Sequence, residues 1–207
     1  MFQLTPVVRN LIIINVIVFL LQQIIPVAVT RTIEGEQVAL SLTQLISLWS
    51  FKFPLFQPYQ FFTYMFAHGG FMHILFNMLA LASFGPILEQ TWGDKKFLFY
   101  YLATGIGAGV IYTLVNLYFS PGVGSMVGAS GAIYGLLMGF GLMYPNMEVS
   151  MLFIPIPIKA KYLVFIMGFI TYLLDRSGSV AHVAHFGGAF VGFIIINAWG
   201  SGNRNWR

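Results

Sequence analysis

Along its hydrophobic and polar positions the chain alternates long apolar runs with short polar turns. The first run, about Val7 to Ile25, ends at Pro26 and is interrupted by Asn10, Asn15, Gln22 and Gln23. Amides inside such a run point to a face packed on protein rather than lipid. A mixed stretch follows from Val27 to Tyr59. Its latter half, Val38 to Phe56, carries Trp49 and several phenylalanines and is broken at Pro54 and Pro58, which suits short helices lying in a membrane interface. Further apolar runs cover Phe71 to Leu88, Phe97 to Leu117, Ser130 to Tyr144, Tyr162 to Leu174 and Val180 to Trp199. No charge falls between Phe97 and Met147. A single crossing needs only about 20 residues, so that stretch reads as span, apolar loop, span, with Ser130 where loop becomes helix. The pattern predicts an all-α polytopic membrane protein: a six-transmembrane-helix bundle with a long outer loop after span one, one membrane-embedded domain over residues 1–207. Span four is short for a full crossing, so its start is expected below the surface.

Composition agrees with this picture. At 58% hydrophobic and 8% charged residues, the chain is far from the ~25% charge of soluble domains. The absence of cysteine excludes disulfides and thiolate metal sites. The formal charge of +4 is not clustered as a nucleic-acid surface would be, so no nucleic-acid partner is expected. Its distribution reports topology instead. Gln22-Gln23-Ile24-Ile25-Pro26 offers no small-x-small cleavage site, so the first span is taken as retained. Six spans bring both termini to one side with Arg9, Lys95, Lys96, Lys159, Lys161, Arg204 and Arg207, leaving Arg31, Lys52 and Arg176 on the other. The excess of basic residues predicts cytoplasmic termini.

Four histidines lie at or inside predicted spans, where ionisable groups are costly. His68 precedes span two. His73 and Asn77 are four apart and share a helix face there. His182 and His185 lie near the outer end of span six, and Ser130 at the outer end of span four. These polar groups therefore fall on one side of the bilayer. Gly131, Gly135 and Gly139 on span four, and Gly188 and Gly192 on span six, form small-residue ridges that let helix backbones approach. Packing of the two spans through these ridges would bring Ser130 and His185 within hydrogen-bond reach, the arrangement in which a histidine takes a serine proton. A helix start beside Ser130 offers N–H groups to a developing oxyanion. No carboxylate is placed to orient the histidine, so a dyad is expected rather than a triad.

Each piece has a plainer reading. Gly128-Ala129-Ser130-Gly131 taken alone is packing material, and it lacks the second glycine of a soluble hydrolase elbow. His73 and Asn77 also serve as interhelical hydrogen-bond partners, and Glu89 reads as a structural one. A four-histidine metal site and a polytopic transporter are competing readings. The first lacks a carboxylate among the outer groups and the second lacks an inverted repeat.

Taken together, His68…His73…Asn77, then Gly128-Ala129-Ser130-Gly131 with Tyr134, then Ala184-His185…Gly188…Gly192, resemble the rhomboid intramembrane serine proteases over roughly Tyr59 to Gly192. Gly85…Glu89…Gly93 is similar to that family's turn after span two. The resemblance implies Ser130 as nucleophile and His185 as general base. It also implies an oxyanion hole from His73, Asn77 and the Ser130 N–H, with Gly128 beside it and Tyr134 packed on the His185 ring. His68 either supports the oxyanion site or holds the loop. Span five and the Asp175–Ser179 loop resemble the family's gate. Implied substrates are membrane proteins with a transmembrane helix, cut near the outer face without metal or cofactor. The compact form resembles bacterial members, which places it in the plasma (inner) membrane. One departure is Tyr59-Gln60, where many members carry Trp-Arg. An inactive rhomboid-like protein that binds clients is the remaining alternative.

Overall fold

The computed structural model describes residues 3–33, 35–119, 124–151, 154–174 and 179–202. Among the described residues six long helices carry the architecture. In chain order the helices are α1 (Pro6–Ile24), the short α2 (Leu42–Ile46) and α3 (Gln60–Thr63), then α4 (Phe71–Trp92), α5 (Asp94–Phe119), α6 (Ser130–Met143), α7 (Leu163–Leu174) and α8 (Ser179–Gly202). Antiparallel pairs of strands lie in the connections: β1 (Val29–Ile33) with β2 (Glu36–Leu40), β3 (Leu48–Trp49) with β4 (Ser125–Met126), and β5 (Glu148–Met151) with β6 (Ile154–Lys159). The all-α expectation is corrected at these places. Around Gly35 (φ 89°) the alternating β-branched stretch Val29–Ile33 folds back on Glu36–Leu40 as a hairpin, so only part of the first connection is helical.

Side-chain contacts fix the direction of each long helix. At the end of the bundle opposite Ser130, Glu89 of α4 accepts from Thr5 Oγ1 (2.6 Å) and from the backbone N–H groups of Val7 and Val8 (both 2.9 Å) at the start of α1. At the Ser130 end, the Gln22 amide of α1 accepts from the His68 N–H (3.1 Å) and donates to the His68 carbonyl (3.3 Å). α1 and α4 are thus antiparallel. Thr91 of α4 meets Tyr144 at the far end of α6, and Trp92 packs edge-on to Trp199 of α8. α4, α6 and α8 therefore run one way, α1, α5 and α7 the other.

Among the described residues four helical stretches, Pro6–Ile24, Phe71–Trp92, Asp94–Phe119 and His182–Gly200, are long and apolar enough to cross a membrane. α6 and α7 have 14 and 12 residues, short of the ~20 that a full crossing takes. α4 also runs past the expected Leu88. Because Glu89 is only 1% exposed and satisfied by the start of α1, it stays in the helix, and the turn tightens to Gly93, whose φ of 78° suits glycine. On α1 the face toward protein carries Val8, Leu11, Asn15 and Gln22. Asn10 and Gln23 face outward.

α6 is the enclosed element, and its glycines show why. A Cβ at Gly131, Gly135 or Gly139 would run into Ala108, Thr104 or Tyr100 of α5 at 2.5–2.8 Å, an antiparallel register stepping four residues at a time. The expectation that this ridge faces span six is therefore refined: its Cα hydrogens face α5, while its backbone carbonyls face α8. There a Cβ at Gly188 would overlap the Gly131 carbonyl, and one at Gly192 would lie 3.1 Å from the Gly135 oxygen. α6 meets α8 at backbone distance and carries α5 side chains seated directly on its glycines, so a short helix starting below the ends of the others is well held.

Candidate active site

The site begins with the segment before α6. β4 pairs with β3, matching Met126 to Leu48 and Ser125 to Trp49, and the Gly128 N–H donates to the Tyr64 carbonyl at 2.9 Å. Gly128 sits at φ 118°, a conformation that side chains rarely adopt. A Cβ there would lie 2.6 Å from His73 Nε2 and 3.8 Å from Asn77 Nδ2. Two side chains of α4 thus close on the backbone two residues before Ser130. An alanine, Ala129, stands at the N-cap of α6, so no capping side chain at that position occupies the N–H groups of its first turn.

The hydrogen bonds set what these groups offer. His73 Nδ1 accepts the Gly69 N–H at 3.4 Å, which leaves the proton on Nε2, the atom turned toward Gly128. Asn77 Nδ2 donates to the His73 carbonyl at 3.0 Å. Both α4 side chains therefore present N–H donors toward the loop that leads into Ser130.

On α8, the His185 ring lies flat on that of Tyr134, with centroids 4.2 Å apart and planes 9° apart. Tyr134 stands one helical turn after Ser130, on the same face of α6. A Cβ at Gly131 would lie 3.7 Å from the carbonyl of Ala184, the residue before His185. Ser130 and His185 therefore belong to the same end of the same α6–α8 contact. His182, one turn earlier, packs against Tyr172 of α7 instead, at 5.3 Å.

His68 is 2% exposed and sits edge-on to His73 at 5.1 Å. Burial pushes its imidazole down to about 4, the neighbouring His73 adds to this, and a bond to the Phe66 carbonyl opposes it. The ring is neutral at pH 7. Its Nδ1 donates to Phe66 at 3.3 Å, and no described residue bonds its buried Nε2. Among the described residues no three His, Asp or Glu side chains converge as a metal site.

Several supporting residues have partners that the sequence did not assign. Gln60, 1% exposed, uses its Oε1 to accept from the backbone of Gln57 (3.1 Å) and Trp49 (3.4 Å), and its Nε2 to donate to the carbonyls of Leu55 (2.9 Å) and Leu45 (3.2 Å). The departure at Tyr59-Gln60 thus still staples its loop. Gln22, Tyr64 and Thr171 also hold the surroundings. A polar residue inside an apolar run was the available signal for Gln22 and Thr171. The Asp175–Ser179 loop lies outside the described residues except for Ser179.

Fold and site together define a polytopic helical membrane protein whose polar groups gather at one end of the bundle. Residues 55–200 match the Rhomboid domain. The chain is 33% identical over 138 residues to Rhomboid protein 1, mitochondrial, of Saccharomyces cerevisiae, covering 65% of this chain and 39% of that protein. It is 35% identical over 138 residues to Rhomboid protease GluP of Bacillus subtilis, covering 64% and 24% respectively. With RHOMBOID-like protein 12, mitochondrial, of Arabidopsis thaliana it shares 30% over 169 residues, 75% of this chain and 49% of the relative. The chain therefore spans less than half the length of each of these curated relatives. It belongs to the rhomboid family.

Proposed function

We propose that this protein is an intramembrane serine endopeptidase, with Ser130 as nucleophile and His185 as general base. The observation that carries the reading is the flat stack of His185 on Tyr134, one turn along α6 from Ser130. The backbone-close α6–α8 contact at Gly188 supports it, because it holds the two helices in a register that turns both residues to the same end.

The chemistry follows from these groups. As Ser130 Oγ attacks a peptide carbonyl carbon, His185 takes the hydroxyl proton. The negative charge that develops on the carbonyl oxygen is met by N–H donors from His73, Asn77 and the start of α6. The C–N bond breaks as His185 returns the proton to the leaving amine, and water then cleaves the Ser130 ester by the same proton relay. His68, neutral and buried, holds the His73 side of this cluster, and no metal or organic cofactor takes part.

Substrates are proposed to be membrane proteins whose transmembrane helix unwinds near the site, admitted between α4 and α7. All six long helices are read as membrane-embedded, with α6 enclosed by α5 and α8. Lys95 and Lys96 open α5, and Lys159 and Lys161 precede α7, all at the end of the bundle opposite Ser130. This supports cytoplasmic termini, a site opening to the outer face and residence in the plasma (inner) membrane.

The test is labelling with a fluorophosphonate probe in detergent or liposomes, alongside cleavage of a transmembrane reporter. Wild type is expected to label and cleave, and Ser130→Ala and His185→Ala to do neither while keeping the fold. Undiminished cleavage by Ser130→Ala refutes the nucleophile. A folded wild type that neither labels nor cleaves supports a client-binding relative instead.

A further inference from the structure

Resting on the reading of His185 as base, we infer that Thr171 of α7 is a positioning residue for His185, acting through Tyr134. Tyr134 lies flat on the His185 ring at 4.2 Å. Its hydroxyl meets Thr171 Oγ1 at 2.9 Å. Thr171 Oγ1 in turn stands 3.0 Å from the carbonyl oxygens of both Met167 and Gly168.

The proton count gives this chain a direction. A threonine hydroxyl has one proton. Directed at the two α7 carbonyls, it leaves Oγ1 as an acceptor, so Tyr134 donates to Thr171 and Thr171 donates to its own helix. The Tyr134 ring is then pinned at both ends, by its Cβ on α6 and by its oxygen on α7. A phenolic O–H prefers the plane of its ring, so the acceptor also biases the rotation of that plane.

The imidazole needs such a wall. Rotation about the Cβ–Cγ bond of histidine is broad, so the torsion alone does not aim the ring nitrogens. A neighbouring ring held at fixed tilt, 9° from parallel, does. The next residue of α7, Tyr172, packs on His182 of α8, so consecutive α7 residues touch both helices that carry the dyad. Elsewhere α7 presents Phe165, Phe169 and Leu173 outward, all more than 60% exposed. Its inner face packs Val164 and Met167 beside Tyr134 and adds the Thr171 hydrogen bond at the site end, so a shift of α7 reaches His185 through the Tyr134 ring.

The experiment compares wild type, Thr171→Val, Thr171→Ser, Tyr134→Phe and the Thr171→Val/Tyr134→Phe double variant in proteoliposomes, measuring kcat and KM on one transmembrane reporter. Thr171→Val is expected to lower kcat by about two- to tenfold, the worth of one hydrogen bond, with KM unchanged. Thr171→Ser keeps the acceptor and is expected to restore kcat. Tyr134→Phe is expected to match Thr171→Val, and the double variant to lose no more than either single change. If Thr171→Val folds poorly, Tyr134→Phe, which removes only the oxygen, carries the same expectation. Wild-type kcat in both single variants, multiplicative losses in the double, or a change confined to KM each overturn the inference. Ser130→Ala, run beside them, separates the two levels. Cleavage that survives it refutes the dyad itself, whereas cleavage lost there but intact in Thr171→Val and Tyr134→Phe refutes only the tether.

Discussion

Adding one methyl group at Gly188 tests the closest contact in the bundle. The Cβ of Gly188→Ala would overlap the oxygen, carbon and Cα of Gly131, all of them backbone. No rotamer change relieves that, so α8 has to retreat from α6 by on the order of 1 Å before the atoms reach ordinary contact distance. Overpacking typically costs about 1–3 kcal/mol. The upper part of that range, about 3 kcal/mol, applies here because the retreat also loosens Gly192 against Tyr100 and Gly135. Two companions calibrate the value. At Gly192 a Cβ would first meet the Tyr100 hydroxyl at 2.5 Å, the group that donates to the Gly135 carbonyl at 2.7 Å. Tyr100 is buried against Trp92 and Trp199. The clash is with its terminal hydroxyl, however, and only a tight contact is made with the Gly135 backbone, so Gly192→Ala costs the hydrogen bond and a small shift, about 1–2 kcal/mol. Gly200 has nothing within 4 Å, and alanine there gains up to about 1 kcal/mol of helix propensity. Thermal unfolding in one detergent is expected to rank the variants Gly200→Ala, wild type, Gly192→Ala, Gly188→Ala, from most to least stable. Fluorophosphonate labelling should fall most in Gly188→Ala. A Gly188→Ala protein as stable as Gly200→Ala would falsify the backbone contact.

Three further outcomes are expected. Glu89→Gln leaves a single oxygen for the three donors from Thr5, Val7 and Val8 and is expected to lose about 2–3 kcal/mol, read as a lower unfolding temperature; wild-type stability would contradict the cap. His68 titrates near 4 in the folded protein against 6.5 unfolded, so the unfolded chain binds the extra proton between those values. Stability falls as pH drops through that window, by about 2 kcal/mol at pH 5 relative to pH 7; His68→Gln should remove that part of the slope, and an unchanged slope places its origin elsewhere. Gln60→Ala removes four polar contacts from the loop before α4 and is expected to cost roughly 2 kcal/mol there. Hydrogen exchange over residues 45–60 should then quicken by about tenfold or more while α5 and α8 stay protected, and uniform quickening would mean a global effect instead.

Sequence by itself determined which stretches are helical, because twenty or so apolar residues between charged turns leave the backbone few alternatives in a membrane. It also picked out the polar cluster, since histidines and a serine at the ends of such stretches are costly and stand out against leucine and phenylalanine. It marked the glycines at Gly131, Gly135, Gly188 and Gly192, but not which way they face. That was decided by tertiary packing. A glycine ridge has a hydrogen side and a carbonyl side, and only the placement of α5 and α8 assigns one to each. The β3–β4 pair was likewise illegible, because its strands are two residues each and depend on a partner more than seventy positions away. The same holds for Glu89 under the start of α1, Gln60 in its loop and Thr171 against Tyr134. A lone polar side chain in an apolar run announces that a partner exists, and only the folded chain supplies which one, because a hydrogen bond is a matter of ångströms and sequence separation carries no distance.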